Sequence, residues 1–331
     1  MKFQDLIGQE QVKKLLSDSI QTGRVGHAYL FCGPDGIGRK TMALCFAEAL
    51  SCESGGTIPC GRCEACILNQ SGTNPDIIRI RPQEGKATVG VEEVRSVQDE
   101  ISTAPRFGKY KILLFEHAEK MTVQAQNALL KTLEEPPAYV IMILLCANNA
   151  MLLDTVKSRA VRIDFKRNTD AEILEAFQRA YGRSAPDKYI LCEYADGIIG
   201  RALQMANPEQ YEEVCDKILQ SVGDLPDGGG RALCVFENLF AAYADRKEIF
   251  FFTLYSLFRD IAFAARYEKT VPLQNARAED RIRNLSGRIG YHNAMECVGQ
   301  IDRAWRLVGQ NVNYKLAADA LAIRIQEVIH D

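Results

Sequence analysis

The chain has 331 residues, enough for two or three domains, and its apolar share (47%) and charged share (25%) are those of a globular protein in water. A net charge of -3 excludes a generally basic, DNA-coating protein, so any nucleic-acid contact must be regional. No apolar run approaches membrane-spanning length, and the opening MKFQDLIGQEQ lacks an apolar core of signal-peptide length, so the expected compartment is the cytoplasm, with no membrane partner. Along the chain, Val12, Leu15, Leu16 and Ile20 recur at helical spacing. HAYLFC is a short apolar run ending in the glycine-rich GPDGIGRKT, and TMALCFAEAL after it reads as a helix. Further strands are expected at DIIRI, KILLFE, YVIMILLC and AVRIDF, with helical patterns over 91–102 and 122–133, the latter stopped by Pro136 and Pro137. A run such as VIMILLC is apolar on both faces, as in a strand covered by helices on each side, and the alternation predicts a doubly wound parallel sheet up to about residue 165.

From Asp170 onward the sequence offers no strand, only helical stretches punctuated by YGRSAPD, GIIG, NP and DLPDGGG. Residues 170–205 read as a small helical module, followed by long amphipathic segments over 247–267, 294–308 and 314–329.

Eleven cysteines in a reducing compartment do not make a disulfide framework, so their spacing is informative. Cys52, Cys60, Cys63 and Cys66 form C-x7-C-x2-C-x2-C, close enough for four thiolates to surround one tetrahedral zinc ion. Four cysteines leave no position for water, so the zinc would be structural; the alternative is a set of free, partly buried thiols. Cys32, Cys45, Cys146, Cys192, Cys215, Cys234 and Cys297 lie among apolar residues and are expected in the core.

The glycine loop, residues 33–41, departs from the P-loop order G-x-x-x-x-G-K-[ST]. Gly33 and Gly38 keep the separation, but Arg39 takes the lysine position, Lys40 the hydroxyl position, and Thr41 follows one place late. The backbone around Gly36 and Gly38 retains the means to cradle a phosphate, whereas charged Lys40 has no lone pair for Mg2+. After the strand KILLF, Glu116 stands where a metal-binding aspartate is expected and His117 where a water-activating glutamate is expected. Both changes disfavour hydrolysis; whether ATP or ADP binds is left open.

LIGQEQVKKLLSDSIQTGRVGHAYLFCGPDGIGRKT, the four-cysteine insertion and AQNALLKTLEEPP together resemble bacterial clamp-loader AAA+ subunits over most of the first 165 residues. The resemblance implies an AAA+ P-loop (RecA-like) α/β domain over residues 1–166 with a four-cysteine zinc module at about 52–66, then a helical lid over 167–207 and an all-α collar over 208–331. In TVKSRA, Ser158 and Arg159 match a motif whose arginine reaches the nucleotide site of a neighbouring subunit, while Ala160 replaces its cysteine. Asn148 falls at the place of a phosphate sensor, and Arg201 one residue beyond a lid sensor; a solvated helix start is the plainer reading of Arg201. Lys86 and Arg95 are candidates for DNA phosphate contacts. The implied function is a non-hydrolysing stator in a hetero-oligomer with gamma/tau and delta subunits, which places a sliding clamp on primer-template DNA for a polymerase holoenzyme. Two other readings stay open: an active loader ATPase, and a zinc-ribbon nucleic-acid module on a degenerate ATPase fold.

Overall fold

The computed structural model describes residues 2–83, 85–182, 188–267, 273–310 and 312–330. It divides into two compact units, Met1–Glu172 and Ile173–Asp331.

In the first unit the chain runs α1 (Glu10–Gln21), β1 (Ala28–Cys32), α2 (Arg39–Ser51), α3 (Glu64–Ser71), β2 (Ile77–Ile80), α4 (Val91–Glu100), β3 (Lys111–Phe115), α5 (Val123–Glu134), β4 (Val140–Cys146), α6 (Asp154–Lys157) and β5 (Val161–Asp164). The five strands form one parallel sheet in the order β2-β3-β4-β1-β5, the doubly wound arrangement expected from the sequence. Every residue of β1, β3 and β4 is buried, which is why these strands read as apolar runs, broken only by Lys111 at the start of β3. Edge strand β5 buries only Ile163, and its polar residues face out. Thr122 caps α5 by accepting the Ala125 N–H, and Pro136 and Pro137 follow close behind its end.

The loop before β3 is fixed by polar contacts. The buried Asp76 carboxylate accepts the N–H groups of Arg106 and Phe107 at 2.9 and 2.6 Å. Lys111 Nζ closes the end of α4 by donating to the carbonyls of Glu100 and Thr103, both at 2.9 Å. This brings Gly108 (φ +63°) against the end of α2, where a Cβ would lie 2.6 Å from the Ser51 carbonyl oxygen. Only glycine meets both the backbone conformation and the close approach.

The second unit comprises α7 (Asp170–Tyr181, whose first residues belong to the first unit), α8 (Lys188–Ala195), α9 (Ile199–Met205), α10 (Pro208–Ala242), α11 (Lys247–Tyr267), α12 (Glu279–Ile289), α13 (Tyr291–Gly309) and α14 (Tyr314–His330). No strand occurs there among the described residues. Helix α11 is central, packing on α10, α12 and α13, and Phe250, Phe251, Phe252 and Phe258 are fully buried. One hydrophobic cluster runs from Ile173 in α7 to Ile329 in α14.

Two expectations about this region change. Punctuation at DLPDGGG is confined to Gly229 (φ 50°, ψ -143°), and helix runs through Pro226. Burial of Val222 and Leu225 holds this stretch helical, while Arg288 donates to the Gly223 carbonyl at 3.0 Å and pairs with Asp227. Cys234 is exposed, whereas the other six cysteines outside the four-cysteine group are buried as expected. Of YGRSAPD, Tyr181 and Gly182 close α7, and residues 183–187 lie outside the described residues.

Candidate functional site

The glycine loop joins the end of β1, between β4 and edge strand β5, to α2. Gly33, Gly36 and Gly38 all have positive φ, at 153, 84 and 104°. A Cβ on Gly33 would stand 3.0 Å from the Phe165 side chain, so this glycine lets the chain leaving β5 pass close. Arg39 opens α2 almost fully buried, its Nη2 on the Asp35 carboxylate and its Nη1 with no acceptor among the described residues. Thr41 lies half-buried in the first turn of α2.

Glu116 directly follows β3 with its carboxylate buried, and both of its oxygens are taken. Oε2 accepts from Lys40 Nζ at 3.0 Å, and Oε1 accepts from Arg79 Nε and Nη2 of β2 at 2.7 and 2.6 Å. Burial pushes the Glu116 carboxyl up, but the hydrogen bonds and charges of Lys40 and Arg79 outweigh it and hold the group below its ordinary range. Because the folded value is depressed, the associated stability is present above the ordinary glutamate range, about pH 4.3, and is lost as pH falls through the folded value. Glu116→Gln is therefore expected to destabilise the first unit by about 1–3 kcal/mol at neutral pH. The gap from the parent should narrow in thermal melts run below pH ~4; a gap constant with pH would remove the assignment.

His117 adopts a left-handed conformation (φ 59°), with Nδ1 3.4 Å from Glu119 Oε1. The other Glu119 oxygen accepts the Ala147 N–H at 3.1 Å. Asn148 spends its side-chain oxygen on the Ala150 N–H at 3.1 Å. Arg159 follows α6 and is partly exposed, with Nη2 on Glu134 Oε1 at 2.8 Å and Nη1 on the Thr155 carbonyl at 3.0 Å. Ser158 Oγ donates to that same carbonyl at 3.2 Å, so its hydroxyl supports the turn that carries Arg159. Lys86 pairs with Glu93 at 3.2 Å, while Arg95 is exposed on α4. Arg201, in the second unit, lies 4.0 Å from Asp196 on the rim of a cavity of about 490 Å³ that includes Lys247 and Trp305.

The four cysteines converge. Cys52 ends α2, Cys63 caps the start of α3, Cys66 lies in its first turn, and all four Sγ atoms fall within 4.8 Å of one another. Zn–S bonds of about 2.3 Å in a tetrahedron place sulfurs about 3.8 Å apart; Cys60 and Cys66 stand at 3.9 Å. Backbone N–H groups of Cys60 and Cys63 donate to the sulfurs of Cys52 and Cys60 at 3.3 and 3.4 Å, as thiolate ligands require. Hydrogen bonds from Ser54 and the backbone pull the Cys60 thiol down, and burial pushes Cys66 up. Thus the donor set fits one zinc ion.

Three positions that sequence reasoning missed complete these sites. Arg79 pairs with the metal-position carboxylate. Asn69 and Asn74 relay between the cysteine module and β2: Asn69 donates to Ser51 Oγ at 2.9 Å, Asn74 donates to Asn69 at 2.8 Å, and Asn74 accepts the Asp76 N–H at 2.9 Å. Arg79 breaks the apolar pattern of IIRI, the one local signal that could have marked it.

The family model described as "DNA polymerase III, delta subunit" matches residues 8–169. The chain is similar to DNA polymerase III subunit tau of Bacillus subtilis (strain 168), 37% identical over 231 residues, covering 70% of this chain and 36% of that protein. With the tau subunit of Salmonella typhimurium it shares 29% identity over 308 residues, 86% of this chain and 47% of that one. It thus spans less than half the length of these relatives. Among solved structures, a gamma subunit-related protein of Thermotoga maritima aligns with a TM-score of 0.48 at 20% identity, over 97% of this chain and 99% of that one.

Proposed function

We propose, from the premise that this chain belongs through residues 8–169 to the bacterial clamp-loader AAA+ family of DNA polymerase III, that it is a delta-prime-like subunit: a stator without ATPase activity of its own. The observation that carries this reading is the Glu116 carboxylate. Phosphoryl transfer on a P-loop needs Mg2+ held by a hydroxyl and a carboxylate. Here the hydroxyl position is Lys40, and both carboxylate oxygens are occupied by Lys40 and Arg79. The neighbouring position, His117, carries an imidazole engaged with Glu119 in place of a carboxylate base.

In this reading residues 1–166 are the RecA-like domain, 167–207 the lid and 208–331 a collar that joins gamma/tau and delta subunits in a hetero-oligomer. Arg159 would serve a neighbour's nucleotide, and the assembly would place the sliding clamp on primed DNA. Zinc would be structural. The similarity to tau subunits favours a second reading, an active gamma/tau-like ATPase, and one experiment separates the two.

The isolated chain with Mg2+ and ATP is expected to show no turnover above background. Adding it to a gamma/tau–delta mixture from the same source should raise clamp loading and DNA-stimulated ATPase. Hydrolysis by the chain alone, abolished by Lys40→Ala, would establish the active-ATPase reading instead.

A further inference from the structure

The second unit holds a cavity of about 490 Å³, a size within the range of roughly 300–1,000 Å³ usual for small-molecule sites. It lies where the end of α8, the start of α11 and the last turns of α13 meet, with Trp305 and Val308 as its apolar wall. Tyr194 lines it although the residue is only 3% exposed, and its hydroxyl has no hydrogen-bond partner among the described residues. The ring is held in place by Trp305, on which it stacks with centroids 5.4 Å apart and 16° between the planes. Burial, and after it the Asp302 carboxylate, pushes the Tyr194 phenol well above its ordinary range, so it stays a neutral donor. Asp302, Glu193 and Arg306, whose charges act on this hydroxyl, all line the same cavity, which puts the hydroxyl on the cavity side of the ring. A buried hydroxyl with nothing to bond is costly, and native structures keep few of them.

The charges around the cavity decide what would satisfy it. Arg306 is spent on Asp302 at 2.9 Å and Glu193 at 3.5 Å, and Arg201 stands 4.0 Å from Asp196. The carbonyls at the end of α13 are spent on the Gln310 N–H. Two opposite charges are left over at the start of α11: the half-buried side chains of Lys247 and Glu248 line the cavity, and neither has a hydrogen bond or an ion pair among the described residues. Tyr194 and Lys247 call for an acceptor, Glu248 for a cation. A simple anion would leave Glu248 unanswered and meet a lining of four carboxylates against three cations. A simple cation would leave Lys247 unpaired and face its like charge. We propose that the cavity binds a zwitterionic α-amino acid with a large apolar side chain: its carboxylate accepts from Lys247 and the Tyr194 hydroxyl, its ammonium donates to Glu248, and its side chain lies against Trp305 and Val308. Charge-assisted hydrogen bonds of both signs select such a molecule over either ion alone. The site belongs to the other unit from the glycine loop, and it stands whether or not the chain hydrolyses ATP.

The test is calorimetric titration of the full chain with L-phenylalanine, and in parallel with N-acetyl-L-phenylalanine, which lacks the ammonium, and L-phenylalanine amide, which lacks the carboxylate. L-Phenylalanine is expected to bind at a single site, and each capped compound about tenfold more weakly or worse, the scale of one charge-assisted hydrogen bond. Lys247→Gln and Glu248→Gln should each weaken L-phenylalanine about tenfold, and should narrow its lead over the amide and the N-acetyl compound respectively. Tyr194→Phe keeps the stack on Trp305 and deletes the hydroxyl. It should weaken binding about fivefold, while the melting temperature of the unliganded chain holds or rises because the lost group had no partner. A lower melting temperature for that variant would show the hydroxyl already bonded and overturn the assignment. Failure of L-phenylalanine to bind at millimolar concentration overturns it too, as does equal binding of either capped compound, which would make the site one for a simple ion.

Discussion

Purified protein is expected to contain one zinc ion per chain, and its first unit should lose thermal stability sharply when the ion is removed. The expectation follows from four sulfurs within 4.8 Å of one another, a 3.9 Å pair near tetrahedral spacing, and backbone N–H donors already aimed at two of them. Zinc binds the thiolate form of its ligands, so its binding free energy favours the folded module. Isolated zinc fingers draw about 10 kcal/mol or more from the metal. Less is expected here, because the Ser51–Asn69–Asn74 relay and the close approach at Gly108 tie the module to the sheet without it. A loss of about 4 kcal/mol would lower the transition by about 10 °C in a unit of this size. Cys63→Ser with Cys66→Ser should reproduce the loss and the missing zinc by elemental analysis. Cys234→Ser, an exposed cysteine in the other unit, should change neither. A metal-free protein with an unshifted melt would refute the site.

The sheet was legible because its strands are buried on both faces: once β1, β3 and β4 are covered, apolar residues fill them apart from Lys111 at the start of β3, whose ammonium is satisfied by carbonyls, and the run is visible without a partner. The cysteine module was legible for a related reason, since all its ligands lie within 15 residues and local spacing alone brings them together. What stayed hidden depends on contacts between distant segments. Arg79 meets Glu116 across neighbouring strands, 37 residues apart in sequence. The helix through Pro226 survives because Val222 and Leu225, on either side of Gly223 and Asp224, are drawn into the core by residues distant in sequence. A proline and three glycines are strong local punctuation, and tertiary burial overrode all but one of them. Cys234 was misplaced because apolar neighbours in sequence do not fix which face of a helix looks inward.

The same distinction governs Arg159. In the chain by itself this residue is a partly exposed side chain paired with Glu134 at 2.8 Å and braced on the Thr155 carbonyl. Such a surface pair is worth about 1 kcal/mol or less, so it orders the guanidinium without restraining it from a stronger acceptor. A γ-phosphate presented by a neighbouring subunit is such an acceptor, doubly charged and matched to the guanidinium fork. If Arg159 acts in trans, Arg159→Ala should leave the melt of the isolated chain and the assembly of the complex unchanged. It should slow hydrolysis at the one served site about 10³-fold, the lower end for arginines of this kind. Steady-state ATPase of the complex would then fall by no more than that site's share, so single-turnover hydrolysis is the sharper measurement: one fraction of bound ATP should persist while the rest is consumed. Arg159→Lys should rescue little, because an ammonium cannot engage two phosphate oxygens in the same plane. An unchanged single-turnover curve for Arg159→Ala would return the residue to the ordinary role its exposure suggests, a charged end to α6.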